Sequence, residues 1–168
     1  ANAAASDITQ TGAISIGAGT ANLTGANVTL GSANVLGAVT VNAGTGNVSL
    51  TENDAISVAA ITHTGDLTLN AGANSITQTG AIEVGAGATS LTGGTITLDH
   101  LNNTFGAVTV NAGTGDVSLR EDEAISIAGI THTGNLYRKT VVAGRGVWQT
   151  GAVAIGGGTA KLAGACWA

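Results

Sequence analysis

The chain says nearly the same thing twice, and this repetition constrains its fold more than any other feature. Residues 37–67 (GAVTVNAGTGNVSLTENDAISVAAITHTGDL) and residues 106–136 (GAVTVNAGTGDVSLREDEAISIAGITHTGNL) share 24 of 31 positions at an offset of 69. A second pair, ITQTGAISIGAG from Ile8 and ITQTGAIEVGAG from Ile76, recurs at an offset of 68. A partial third copy, QTGAVAIGGGTAKLAG, starts at Gln149. Units of this length bury their apolar faces only against their neighbours, so they stack into an extended array.

Within each unit the apolar period is two. Val28-Thr29-Leu30, Val39-Thr40-Val41, Val48-Ser49-Leu50, Ile56-Ser57-Val58 and Leu67-Thr68-Leu69 all alternate, as do Ile82-Glu83-Val84, Ile96-Thr97-Leu98, Val108-Thr109-Val110, Val117-Ser118-Leu119 and Ile125-Ser126-Ile127. Successive side chains of a strand point to opposite faces, so each segment reads as a short strand with an aliphatic row inside and Thr or Ser outside. Such β-branched, glycine-broken text leaves no room for helices. An all-β fold is expected.

Composition chooses between two all-β layouts. A sandwich of hairpins calls for Asn-Gly or Asp-Gly turns and large residues between its sheets. Neither dipeptide occurs, and there are four aromatic residues in 168, none before Phe105. The 27 glycines and the small aliphatic residues suit a narrow interior with tight corners. The strand signature recurs at Val28, Val48, Leu67, Ile96 and Val117, at spacings of 20, 19, 29 and 21. We therefore expect a parallel β-helix (β-solenoid) of about seven or eight coils of ~20 residues. On this reading each repeat unit holds about three coils, one of them enlarged around residues 70–95. Residues 1–136 form the tandem repeats, and residues 137–168 a divergent partial repeat that could cap the C-terminal end.

Charge is unevenly distributed. Residues 1–119 hold seven acidic groups and no Lys or Arg, and all five basic residues (Arg120, Arg138, Lys139, Arg145 and Lys161) come after them. Nucleic-acid binding depends on neutralising phosphates, so no nucleic-acid partner is expected. No segment is long and apolar enough to span a bilayer as a helix, and no charged-then-apolar leader opens the chain. The opening ANAAASD reads as entry into the middle of a repeat, as in a piece of a longer protein. The single Cys166 has no neighbouring His or Cys to activate it and is read as a small terminal residue.

Few residues suggest chemistry. Glu52-Asn53-Asp54 and Glu121-Asp122-Glu123 occupy equivalent acidic turns. Calcium needs six to eight oxygen ligands, which makes Glu52, Asp54, Glu121, Asp122 and Glu123 weak calcium candidates. Three coils would separate the two turns by about 14 Å, too far to share an ion. Solvated corner charges are the preferred reading, and no metal or other cofactor is expected. His63 and His132 lie in ITHTG where other copies carry Gln in ITQTG, so the position asks for a polar side chain rather than a base or a ligand. His100 follows Asp99 in a turn. No nucleophile elbow of the G-x-S-x-G type exists, no catalytic residue is assigned, and an anionic-sugar groove would need basic residues that the first 119 positions lack. Thr9-Gln10-Thr11, Thr62-His63-Thr64, Thr77-Gln78-Thr79 and Thr131-His132-Thr133 could present Thr pairs to ice, but their spacings of 53, 15 and 54 residues do not place one pair on every coil.

The phrases ITQTGAISIGAGTANLTG, GAVTVNAGTGNVSLTENDAISV, ITHTGDLTLNAGANSITQTG and LNNTFGAVTV resemble the repeats of filamentous-haemagglutinin-like adhesins, over residues 6–136 and again over 149–164. Those are large exoproteins of Gram-negative bacteria exported by two-partner secretion. The resemblance implies a right-handed parallel β-helix, a fibrous shaft, secretion or surface display, and a role in adhesion or biofilm. It brings no catalytic residue. Residues 137–147, YRKTVVAGRGV, depart from it. The expected function is a non-catalytic shaft segment that self-associates end to end through unpaired strand edges, with a host surface or extracellular polysaccharide as further partner. A β-helical hydrolase and an ice-binding solenoid are the alternatives.

Overall fold

A computed structural model describes residues 1–140 and 146–163; Arg145, Cys166 and Trp167 lie outside the described residues. Every named element is a strand, and every pairing between strands is parallel. The first sheet runs β1 (Ile8–Thr9), β3 (Val28–Asn34), β5 (Val48–Glu52), β7 (Leu67–Asn70), β10 (Ala88–Gly93), β12 (Ala107–Ala112), β14 (Ile125–His132) and β16 (Val147–Gln149), with β17 (Val153–Ile155) also on β14. The second runs β2 (Thr20–Thr24), β4 (Ala38–Gly44), β6 (Ile56–His63), β8 (Ile76–Gln78), β11 (Ile96–Leu98), β13 (Val117–Glu121), β15 (Leu136–Thr140) and β18 (Ala160–Ala163), with β9 (Ile82–Val84) also on β6. The chain visits the two sheets in turn and advances by one strand spacing per circuit. The result is a β-solenoid of about eight coils.

Register fixes the coil length. Val28, Val48, Leu67, Thr89 and Val108 align down the first sheet, and Ile56, Ile76, Ile96, Val117 and Leu136 down the second. Adjacent partners are therefore about 20 residues apart throughout. No coil is enlarged around residues 70–95, because Leu67 pairs with Thr89 and Ile76 with Ile96 at ordinary spacing. The 29-residue gap from Leu67 to Ile96 spans a coil and a half and crosses from the first sheet to the second. It follows that the 68–69-residue unit holds three and a half coils, not three. Its two copies face opposite ways: β4, β6 and β8 lie in one sheet, and their counterparts β12, β14 and β16 in the other.

The core is the slot between the sheets. Val48, Leu50, Leu67 and Leu69 from one side and Ile56, Val58, Ile76 and Ile96 from the other are at most 1% exposed. Each such side chain contributes about 1.5–3 kcal/mol on burial. Among the described residues the one aromatic ring of Phe, Tyr or Trp that is fully buried is that of Phe105.

Corners are held by two devices that repeat along the axis. At one corner Ala26, Gly46, Gly65 and Gly87 stack so tightly that a Cβ on Gly87 would overlap the Gly65 carbonyl oxygen. The residue after each position caps the next coil. The Asp7 carboxylate accepts the Asn27 backbone N–H at 3.1 Å, the Asn27 side chain that of Asn47 at 2.9 Å, the Asn47 side chain that of Asp66 at 2.8 Å, and the Asp66 carboxylate that of Ala88 at 2.9 Å. The opposite corner uses Asp116 and Asn135 in the same way, bonding Asn135 at 2.7 Å and Thr159 at 3.1 Å. Backbone donors that the sheets leave unpaired are thus satisfied internally.

Candidate functional site

Six polar residues directed into the solenoid, Gln10, Asn34, Glu52, Gln78, Asn103 and Glu121, form two copies of one ladder. In the first, Gln10 Nε2 donates to Asn34 Oδ1 at 2.8 Å and Asn34 Nδ2 returns a bond to Gln10 Oε1 at 3.0 Å. Asn34, wholly buried, also donates to the Thr51 carbonyl at 3.0 Å and accepts the Ile14 N–H at 2.8 Å. Its register partner on the next coil is Glu52, which accepts the Leu36 N–H at 3.0 Å. Gln78, Asn103 and Glu121 repeat the pattern: reciprocal amide bonds of 2.8 Å, then the Phe105 N–H on Glu121 at 2.7 Å. The central residue of the ITQTG phrase therefore starts a chain of buried hydrogen bonds.

Glu52 and Glu121 are not solvated corner charges. They are 3% and 2% exposed, because β5 and β13 carry their alternation one step further and turn the fifth residue inward. Burial pushes the Glu52 carboxyl up to about 7, against the opposing pull of the Leu36 N–H and with help from the nearby charge of Asp54. Glu121 rises to about 7 for the same reason, with the Phe105 N–H opposing and Glu123 assisting. Glu52 Oε1, Asp54 Oδ1 and Glu121 Oε2 are buried with no donor as carboxylates. A proton on Glu52 could satisfy Asp54.

The other calcium candidates are dispersed. Asp122 and Glu123 are exposed while Glu121 is not, and the two acidic turns lie three and a half coils apart on different sheets. Among the described residues no three His, Cys, Asp or Glu come together as a possible metal site. Glycosidic carboxyl pairs stand about 5–9.5 Å apart, whereas Glu52 and Glu121 are separated by about 17 Å along the axis at ~4.8 Å per coil.

His63 and His132 point inward, 2% and 3% exposed. His63 Nδ1 meets the Gly46 carbonyl at 3.2 Å, and burial lowers its affinity for a proton. His100 holds a turn, accepting the Asn102 N–H on Nδ1 at 3.3 Å. The four T-x-T phrases divide between the sheets, Thr9 and Thr131 on the first and Thr62 and Thr77 on the second. A different array does recur coil after coil on the first sheet: Ser49/Thr51, Thr68/Asn70, Ser90/Thr92 and Thr109/Asn111 stand in register on four successive strands.

The surface changes character after residue 119. A groove of about 400 Å³ on the second sheet is lined by Asp99, Ser118, Arg120, Tyr137, Lys139 and Lys161, among others. Arg120 and Lys139 are direct neighbours on β13 and β15, and Tyr137 and Lys161 on β15 and β18. Lys161 Nζ stands 5.7 Å from the centre of the Tyr137 ring. Between them Arg138 turns into the core, 4% exposed, at the position that Leu69 fills in the first copy. Its Nε and Nη1 have no partner, and burial lowers its pKa. The sequence carried the signal for this groove in the divergent text after residue 136.

Fold and ladders together define a two-sheet parallel β-solenoid stapled by internal amide and carboxyl ladders. The chain belongs to the family described as "Repeats of unknown function (DUF5649)", whose model matches residues 1–43 and 45–112. Neither the curated proteins nor the solved structures gave a match.

Proposed function

We propose that the chain is a non-catalytic shaft segment of a secreted or surface-displayed bacterial exoprotein of filamentous-haemagglutinin type, acting in adhesion or in filament and biofilm formation. One observation carries this reading: most ionisable residues of the first five coils serve the stack, Glu52 and His63 stapling coils together from inside and Asp7 and Asp66 capping corners, while Glu83 faces outward. Side chains committed to stacking suit a spacer, which presents length and a surface. Polysaccharide or a host surface is the proposed outer partner, and strand edges at the coil ends provide for self-association.

The test combines shape with chemistry. Small-angle scattering should give a rod of about 38 Å for eight coils at ~4.8 Å each, and a panel of ester, glycoside and polyuronate substrates should show no turnover. Turnover lost on changing one Asp, Glu, Ser or His would overturn the reading. The hydroxyl and amide pairs on four successive strands favour ice binding as a second reading, and thermal hysteresis at high protein concentration would establish it in place of the first.

A further inference from the structure

We propose that the groove over β13, β15 and β18 is a polar self-association site, which receives exposed carboxylates from the preceding coils of a second copy. The inference rests on the shaft reading and adds to it a direction and a chemistry.

Each outward cation of the groove departs from the repeat. Arg120 stands where the first copy has Thr51, Lys139 where it has Asn70, and Lys161 where earlier copies have Asn22 and Ser90. The strand positions are unchanged, so the coil did not require these charges. Arg120 and Lys139 sit directly opposite each other in register, an arrangement that like charges destabilise. Arg120 Nε is buried without a partner. Among the described lining residues the only carboxylate is Asp99, which accepts a hydrogen bond from the Ser118 hydroxyl at 2.6 Å. The groove therefore holds three outward cations against one carboxylate and keeps an excess of positive charge.

The complement is on the same chain. Residues 1–119 carry seven acidic groups and no basic one. Asp7, Asp66 and Glu83 are exposed, and Glu83 lies on the outer face of the sheet that carries the groove. Donor groove and acceptor coils are different surfaces of one molecule, so the contact is heterologous. Each copy that offers its acidic coils keeps a free groove, and such contacts propagate rather than close unless the rotation happens to complete a ring.

Sedimentation velocity of the full chain across protein concentration and salt tests this. The wild type should associate at low salt and come apart at about 1 M, where the screening length falls to about 3 Å. Lys139→Glu with Lys161→Glu, both on exposed side chains, should be monomeric at low salt with an unchanged circular dichroism spectrum. Asp66→Asn, which keeps the corner acceptor as Asn47 does, with Glu83→Lys should be monomeric alone with an unchanged circular dichroism spectrum, and mixing the two variants should restore association. Association that ignores both salt and the lysine changes would leave the shaft reading standing on edge pairing and overturn the groove. A wild-type monomer at every concentration would overturn it too, as would a mixture that fails to associate. A monomer whose groove binds dextran sulfate without any self-association would assign the groove to a foreign polyanion instead.

Discussion

At the scale of single residues, the two buried carboxyls make stability depend on pH. Glu52 and Glu121 each move from 4.5 to about 7 on folding. A raised carboxyl contributes stability that is complete below the unfolded value and is lost as pH rises through the folded one. The solenoid should therefore be firmest near pH 4.5 and weaken progressively up to pH 7, by about 3 kcal/mol per carboxyl. Glutamine at both positions keeps an acceptor for the Leu36 and Phe105 N–H groups and cannot ionise. Thermal melts at mildly acidic and mildly alkaline pH should show a wild type that loses stability with rising pH and an E52Q/E121Q variant that is level across the range. An equal slope in both would refute the assignment. The inward placement of these residues was legible in the sequence: Glu52 continues the inward parity of Val48 and Leu50, and His63 that of Ile61. Charge argued the other way, because an isolated carboxylate resists burial. Only the stacked coils reveal the Leu36 N–H and the Asn34 ladder that make it tolerable.

Strands and corners set the next scale. The alternating triplets all became strands, because period-two text with small corners has one way to bury its aliphatic row. Which sheet each triplet joins was not legible. Both sheets use the same inward Val, Ile and Leu and the same outward Thr and Ser, so Leu67 and Ile96 look like successive members of one column while they lie in different sheets. The corners carry more information than the strands. A Cβ on Gly65 would come within 2.6 Å of the Gly46 carbonyl oxygen, whereas one on Gly113 would meet nothing within 4 Å. Gly65→Ala should cost about 1–3 kcal/mol by forcing two coils apart. Gly113→Ala should stay within about 0.5 kcal/mol of the wild type. Chemical denaturation of the two variants measures the difference, and equal midpoints would show that the glycine column does not set the coil spacing.

For the whole molecule, the half-integral repeat has a structural meaning. A unit of three and a half coils returns the chain to the same corner geometry on the opposite side, which requires the two sheets to be interchangeable. The duplicated ladders show that they are: Gln10, Asn34 and Glu52 on one side are matched by Gln78, Asn103 and Glu121 on the other, bond for bond. A unit can therefore be removed without a mismatch. Deleting residues 37–105 joins Leu36 to Gly106 and Ala107, the same residue types that follow Leu36 in the intact chain as Gly37 and Ala38. Glu121 then inherits the Leu36 N–H that Glu52 had held. Such a variant should fold into a rod about 17 Å shorter, at ~4.8 Å for each of three and a half coils. It should keep the strand-type circular dichroism spectrum and melt at a lower temperature, because solenoid stability accumulates over neighbouring coils. Scattering and melting curves would also be taken on a control lacking only residues 37–46, a half-coil cut that breaks the repeat phase and should fail to fold cooperatively. If the 69-residue deletion failed to fold as the control does, the two sheets would not be equivalent, and if the control folded as well as it, the repeat phase would have no bearing on how the coils stack.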